Sequence, residues 1–353
     1  METEVDTGIA GKKVLLIGGA GFIGHNLALK LKELGADVHL IDSLQVNNFL
    51  NYLTYKEGTH QQDLYIKILN QRLQLLREAE IPLYIQDCRD YHAMLGYVSK
   101  LQPDVMVHLA AVAHANRSNK DPYSTFDHSF RTLENALDLA RYYSKHFIFF
   151  SSSMIYGNFE GGFVTEDTPC EPLGIYGALK FGGEKLVIAY NQVFDLPYTI
   201  IRPSALYGER CVSRRVGQIF IENALTNQGI RIGGDGNDRL DFTYIDDMIQ
   251  GVVKVIGNDN SRNQTFNLTY GSSRSLNDMV EILKEYFPNI SVEYTPKDRL
   301  MPDRGTLSVE RARKLIGYEP QWPLEKGFRK YIEWYRNMVH DDPSCLGGLS
   351  LEY

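Results

Sequence analysis

The sequence predicts an α/β fold: a doubly wound parallel sheet with helices on both faces, and a smaller C-terminal α/β lobe that would hold a substrate. Three observations carry this. Short continuous apolar runs alternate with segments of helical periodicity as far as residue 204. A glycine-rich turn joins the first run to the first helical segment. Beyond residue 205 the alternation loosens, and glycine and charge become denser around "GGDGNDRLD".

Taken in order, residues 1–10 read as a loose tail. "KKVLLIGG" is a continuous apolar run ending in glycine, the pattern of a strand buried on both faces. "FIGHNLALKLKELG" has helical spacing and closes on Gly35. "DVHLID", "DVMVHLAA", "HFIFFSSS" and "PYTIIRPSAL" repeat the strand theme with helical segments between them. Residues 45–80 form a longer connection than such units need. Within it Tyr65, Ile68, Leu69, Leu73 and Leu76 share one helical face, which predicts a packing helix; a lid or a partner surface is the alternative. "LNDMVEILKEYF" and "LEKGFRKYIEWYRNM" predict amphipathic helices in the second lobe.

Composition excludes several classes. The 353 residues carry a formal net charge of −7 and no basic stripe, which argues against nucleic-acid binding. No apolar run is long enough to cross a bilayer, and no membrane association is expected. Cys88, Cys170, Cys211 and Cys345 form no CxxC pair and stand near no histidine at ligand spacing, so neither a metal site nor a disulfide framework is expected. These features predict a cytoplasmic protein.

The first chemistry lies in "LLIGGAGFIG". Gly18, Gly21 and Gly24 allow a tight turn and close approach of the backbone to a pyrophosphate, and the helix opening at Phe22 and Ile23 offers free N–H groups. Asp42 ends the second strand, where a carboxylate accepts hydrogen bonds from both ribose hydroxyls of an adenosine and repels a 2′-phosphate. No Arg or Lys follows at Ser43 or Leu44, so the expected cofactor is NAD. This makes the sheet Rossmann-type. The expected organisation is an NAD-binding domain over 11–204 with 242–269 returning to it, a substrate lobe from 205–241 and 270–340, and tails at 1–10 and 341–353.

The second chemistry lies in "IYGALKFGGEKL". Tyr176 and Lys180 stand four residues apart, on one face of a helix. An ammonium beside a phenol favours the phenolate, which can take a proton from a sugar hydroxyl as hydride leaves the same carbon.

With "GGAGFIG", Asp42, "DCRD" (87–90), "HLAA" (108–111), "SSSMIYG" (151–157), "YGALK" (176–180), "RPSALYG" (202–208), "GDGNDRLDFTYIDD" (234–247) and "LIGYEP" (315–320) in this order, the chain resembles the extended short-chain dehydrogenase/reductases, within them the nucleotide-sugar epimerases and dehydratases. The resemblance covers roughly residues 12–336. It implies that Ser152 is the hydroxyl that hydrogen-bonds the reacting oxygen, that Tyr176 is the acid/base, and that Lys180 is its electrostatic partner and a ribose ligand. Asp87 and Cys88 resemble the adenine-contact pair, and Leu109, Ala110 and Ala111 the backbone lining the cofactor. A homodimer packed through the helices that include the Tyr176 segment is implied too.

In the related 4,6-dehydratases an Asp–Glu pair follows the catalytic hydroxyl, and in the sugar-acid decarboxylases the second position is Glu. Here those positions are Ser153 and Met154, and a thioether neither gives nor takes a proton at useful pH. The expected function is therefore NAD-dependent epimerisation of a nucleoside-diphosphate sugar at C4, through a transient 4-keto intermediate. An NAD(P)H-dependent 4-keto-sugar reductase is the first alternative. A dehydratase or decarboxylase ranks lower, and a dinucleotide-binding sensor or scaffold is the non-enzymatic reading. Arg239, Arg299 and Arg304 are candidate ligands of the substrate diphosphate. Ser153, His114 and Asn116 are candidates on the sugar side, and His114 as a second acid/base would open C3 or C5 to epimerisation. Three positions depart from the relatives: Leu240 stands where Arg is usual, and Ala205 and Ser129 stand where Asn is usual.

Overall fold

The computed structural model describes residues 7–46, 48–53, 62–112, 115–298 and 301–346. Each apolar run becomes a short strand because both of its faces are covered. In β1 (Lys13–Ile17), Val14 and Leu16 join a cluster with Leu27 and Leu31 of the Phe22–Glu33 helix. Leu15 and Ile17 point the other way, into a cluster with Leu133 and Leu137 of the Thr132–Tyr143 helix.

The remaining strands are β2 (Asp37–Asp42), β3 (Leu83–Ile85), β4 (Val105–His108), β5 (His146–Phe150), β6 (Tyr198–Arg202) and β7 (Gln264–Asn267). All pair in parallel, in the order β7-β6-β5-β4-β1-β2-β3. The chain runs outward from β1 to β3, then returns to the other side of β1 as β4. The fold is Rossmann-type, and the reversal opens a crevice at the carboxyl ends of β1 and β4. The glycine turn, Leu109–Ala111 and Ser151–Ser153 all leave strands at this edge.

Beyond residue 205, two-stranded ladders and helices surround the sheet's last strand. Arg239–Leu240 pairs antiparallel with Arg274–Ser275, and Ile230–Gly233 pairs parallel with Val292–Thr295. The Leu324–Asp341 helix buries Leu324, Phe328, Tyr331, Ile332, Tyr335 and Val339, and is amphipathic as its spacing predicts. In the long connection, the Gln62–Glu78 helix buries Tyr65, Ile68, Leu69 and Leu76. Tyr65 Oη donates to Glu222 on the Val216–Leu225 helix at 2.7 Å, so this is a packing helix tied to that one.

The expected tails need a correction. Ile9 is fully buried, and Cys345 and Leu346 are buried against the core, because both segments carry apolar side chains that insert between helices. Among the described residues, no helix is long and apolar enough to cross a membrane, and no His/Cys/Asp/Glu cluster could hold a metal.

Candidate functional site

The glycine turn is shaped for close contact. Gly18 has φ +80°, and a Cβ there would lie 2.7 Å from the Ala110 nitrogen, so glycine lets the turn press against the loop after β4. At Gly24 a Cβ would lie 2.4 Å from the Gly19 carbonyl oxygen, which ties the helix start to the turn. Gly21 is the N-cap and brings no side chain, so the first N–H groups of the helix remain open to a ligand.

Asp42 stands over this turn. Its Oδ2 accepts from the Ala20 N–H at 3.0 Å and its Oδ1 from the Leu44 N–H at 2.8 Å, which fixes the carboxylate. Burial pushes its pKa up, and these two N–H groups oppose the shift. Across the crevice, Arg89 grips Asp87 with Nη2 at 2.6 Å and holds that carboxyl below its usual range. Asn135 Nδ2 donates to the carbonyls of Cys88 and Arg89, both at 2.9 Å, and fixes that loop. The Cys88 thiol is buried, its pKa driven far up by desolvation. Gly18, Gly21, Phe22, Ile23, Gly24, Asp42, Asp87, Cys88, Leu109, Ala110 and Ala111 border one cleft. Arg72, Cys211, Ser213 and Arg215 border it too.

Strand β5 delivers the hydroxyls. After Phe150, the Ser151 N–H donates to the Ile201 carbonyl at 2.8 Å and the Ser153 N–H to the Pro203 carbonyl at 2.9 Å, so the serines continue along the sheet edge. Ser152 Oγ accepts the Met154 N–H at 3.2 Å and caps a 3-10 turn over Ser153–Tyr156. The Gly174–Phe194 helix carries Tyr176 and Lys180. Its start is capped from outside, where Asn119 Oδ1 accepts the Ile175 N–H at 3.1 Å. A Cβ on Gly177 would lie 2.9 Å from the Met154 carbonyl oxygen, so glycine lets the serine turn and the helix meet.

Lys180 Nζ donates to the Phe150 carbonyl at 2.6 Å, at the mouth of β5. Burial pushes its pKa down to about 8, with Glu184 pulling the other way. Ser129 borders a small hollow with Tyr176 and Lys180. Its Oγ accepts the Val112 N–H at 3.2 Å, so serine holds the loop after β4 at a position where relatives carry Asn. Ser129 sits in a π-helical turn over Asp127–Arg131, a distortion that often marks functional sites.

The expected arginines separate. Arg304 Nη1 donates to Ser153 Oγ at 3.0 Å, and its Nε is buried without a partner among the described residues. Burial and the charge of Arg215 push its pKa down to about 10, and Tyr176 opposes them. Arg304 therefore lies beside the Ser153 hydroxyl and within electrostatic reach of the Tyr176 phenol. Arg239 is exposed and donates from Nε to Ser273 Oγ at 3.1 Å. His114 and Arg299 lie outside the described residues, and Asn116 falls in the short helix Ala115–Lys120. Sequence reasoning missed Arg72 and Arg215. A signal existed for the first: Arg72 falls within the apolar stripe of its helix, where a charged residue asks for a reason, and it is more deeply buried than Leu73.

A family model described as the NAD dependent epimerase/dehydratase family matches residues 14–269. The UDP-glucose 4-epimerase of Mycolicibacterium smegmatis is 27% identical, over 92% of this chain and 99% of that protein. The crystal structure of UDP-glucose 4-epimerase from Thermotoga maritima with UDP-glucose superposes with a TM-score of 0.80 at 26% identity, covering 92% of this chain and 99% of that one. The UDP-glucuronic acid 4-epimerase from Bacillus cereus, in complex with UDP-glucuronic acid and NAD, gives a TM-score of 0.81 at 25% identity with the same coverage.

Proposed function

The chain belongs to the NAD-dependent epimerase/dehydratase family, and from that premise we propose that it interconverts UDP-sugars epimeric at C4. The residues present fit a dinucleotide: an uncapped helix start, a glycine turn without side chains to obstruct it, and a carboxylate fixed at the end of β2. The Phe22–Glu33 helix would hold the pyrophosphate, Asp42 the adenosine ribose, and Asp87 with Cys88 the adenine.

The observation that carries the reading is Lys180 anchored to the Phe150 carbonyl, one helical turn from Tyr176 and at the strand end that bears Ser152. Lys180 supplies positive charge that favours the Tyr176 phenolate. The phenolate takes the proton of the C4 hydroxyl, and Ser152 hydrogen-bonds the same oxygen. NAD held by the glycine turn, Asp42 and Lys180 would supply the hydride acceptor and donor for C4. Tyr176 gives its proton back to the oxygen once the sugar has turned its other face. Ser153 and Arg304 lie where the sugar would sit, and Arg304 reads better as a sugar-side ligand than as a diphosphate ligand. Met154 leaves no acid for elimination at C6.

We place the lobe of 205–241 and 270–340 over the nucleotide, and the enzyme in the cytoplasm as a homodimer. Tyr142, Val193 and Phe194 are exposed on the two helices that would form the dimer contact, which supports that assembly. The test is to incubate purified protein with UDP-glucose, or separately with UDP-glucuronic acid, without added cofactor. A C4 epimer is expected in at least one case. A 6-deoxy-4-keto product, or turnover only with stoichiometric NADH, overturns the assignment.

A further inference from the structure

The Gln62–Glu78 helix does more than pack, because it buries a guanidinium. Arg72 is 1% exposed, in the stripe otherwise formed by Tyr65, Ile68, Leu69 and Leu76. Removing a cation from water this completely costs several kcal/mol unless the charge is paired. Its Nε, at 2.9 Å, and its Nη2 both donate to the Arg210 carbonyl, and Nη1 is buried without a partner among the described residues. Among the described residues, no carboxylate is bonded to it. Asp42 is close enough to act on its charge, but both Asp42 oxygens already accept backbone N–H groups.

The position of this charge is informative. Arg72 borders the cofactor cleft together with Gly21, Phe22 and Asp42. The helix opening at Phe22 faces the same cleft with a positive dipole end. The site thus combines two positive features with one carboxylate, Asp42, whose two oxygens are already taken by backbone N–H groups. In NAD the anionic part is the pyrophosphate. A 2′-phosphate is disfavoured by the adjacent Asp42.

We propose that Arg72 is a cofactor ligand, its Nη1 taking a pyrophosphate oxygen of NAD opposite the N–H groups of the Phe22–Glu33 helix. This rests on NAD as the cofactor and gives the connection over 45–80 a role. The same guanidinium holds the Arg210 carbonyl, and Tyr52 Oη donates to the Val212 carbonyl at 2.9 Å. The connection therefore fastens the segment that brings Ser213 and Arg215 to the cleft.

The test uses full-length protein stripped of nucleotide, titrated calorimetrically with NAD, ADP and adenosine. Arg72→Met should weaken NAD and ADP by about tenfold or more and leave adenosine unchanged, since only the first two carry the pyrophosphate. Arg72→Lys should recover part of the loss. Equal loss for all three ligands marks a merely structural role and overturns the proposal, as does unaltered NAD and ADP binding. Wild-type protein that binds neither NAD nor ADP overturns both this proposal and the cofactor reading. If Arg72→Met does not fold, a structure of the wild-type NAD complex decides. Nη1 within about 3.2 Å of a pyrophosphate oxygen supports the assignment, and a separation beyond about 4 Å overturns it.

Discussion

Two regions bury positive charge, and they complete it differently. Behind the Tyr176 helix, Arg202 is 6% exposed with all three nitrogens engaged. Nε and Nη2 meet Glu184 at 3.0 and 2.8 Å, and Nη1 donates to Tyr156 Oη at 2.8 Å and the Glu166 carbonyl at 3.0 Å. Burial alone would lower its pKa, but Glu184 outweighs it and the net shift is upward. At the site, Lys180 in the hollow beside Tyr176 and Arg72 in the cleft donate to backbone carbonyls among the described residues, and burial pushes both pKa values down. The protein closes its own charges away from the site. At the site it holds Lys180 and Arg72 by neutral carbonyls, with Glu184 and Asp42 acting on them without a hydrogen bond.

The comparison breaks most visibly at Arg202. Arg202→Met strands the Glu184 carboxylate and should lose about 3–5 kcal/mol in denaturant unfolding, and a second change, Glu184→Leu, should restore most of it. Tyr176→Phe should leave stability and NAD content unchanged while kcat falls roughly 10³-fold, about 4 kcal/mol of barrier. A similar kcat in this variant would remove the phenolate from the mechanism.

Smaller effects sharpen the contrast. Lys180 is protonated below its depressed pKa of about 8 and neutral above it. Its support for the phenolate is thus present below that pH and lost as pH rises through it. Lys180→Met, which removes that charge at every pH, should lower kcat by about tenfold or more at pH 7; an unchanged kcat would contradict this. Arg304→Gln keeps one donor for Ser153 but loses the charge, and should raise KM by roughly tenfold with a smaller change in kcat.

Much of the fold was legible because physics at short range imposes it. Both faces of the sheet are covered, so strands such as "KVLLI" read as unbroken apolar runs, and the glycine turn and Asp42 sit at fixed places along them. Tyr176 and Lys180 were legible because helical spacing alone puts them on one face. Arg72 was legible only as a charge within an apolar stripe, since its partner Arg210 lies 138 residues away and nothing local announces that contact. Arg304 is legible in the sequence as a candidate anion ligand, but its neighbours are not. Only the path of the chain brings it 3.0 Å from Ser153, 151 residues earlier. The buried ends at Ile9 and Leu346 were hidden for the same reason: their partners lie far away in the sequence.

The most direct test follows one hydrogen. A UDP-sugar deuterated at C4 is converted by the purified enzyme without added cofactor, and the label is located by NMR. Removal and return of hydride at a single carbon predicts that the C4 epimer carries deuterium at C4, undiluted by solvent. Deuterium found at C6, or solvent hydrogen exchanged into C3 or C5, would contradict it.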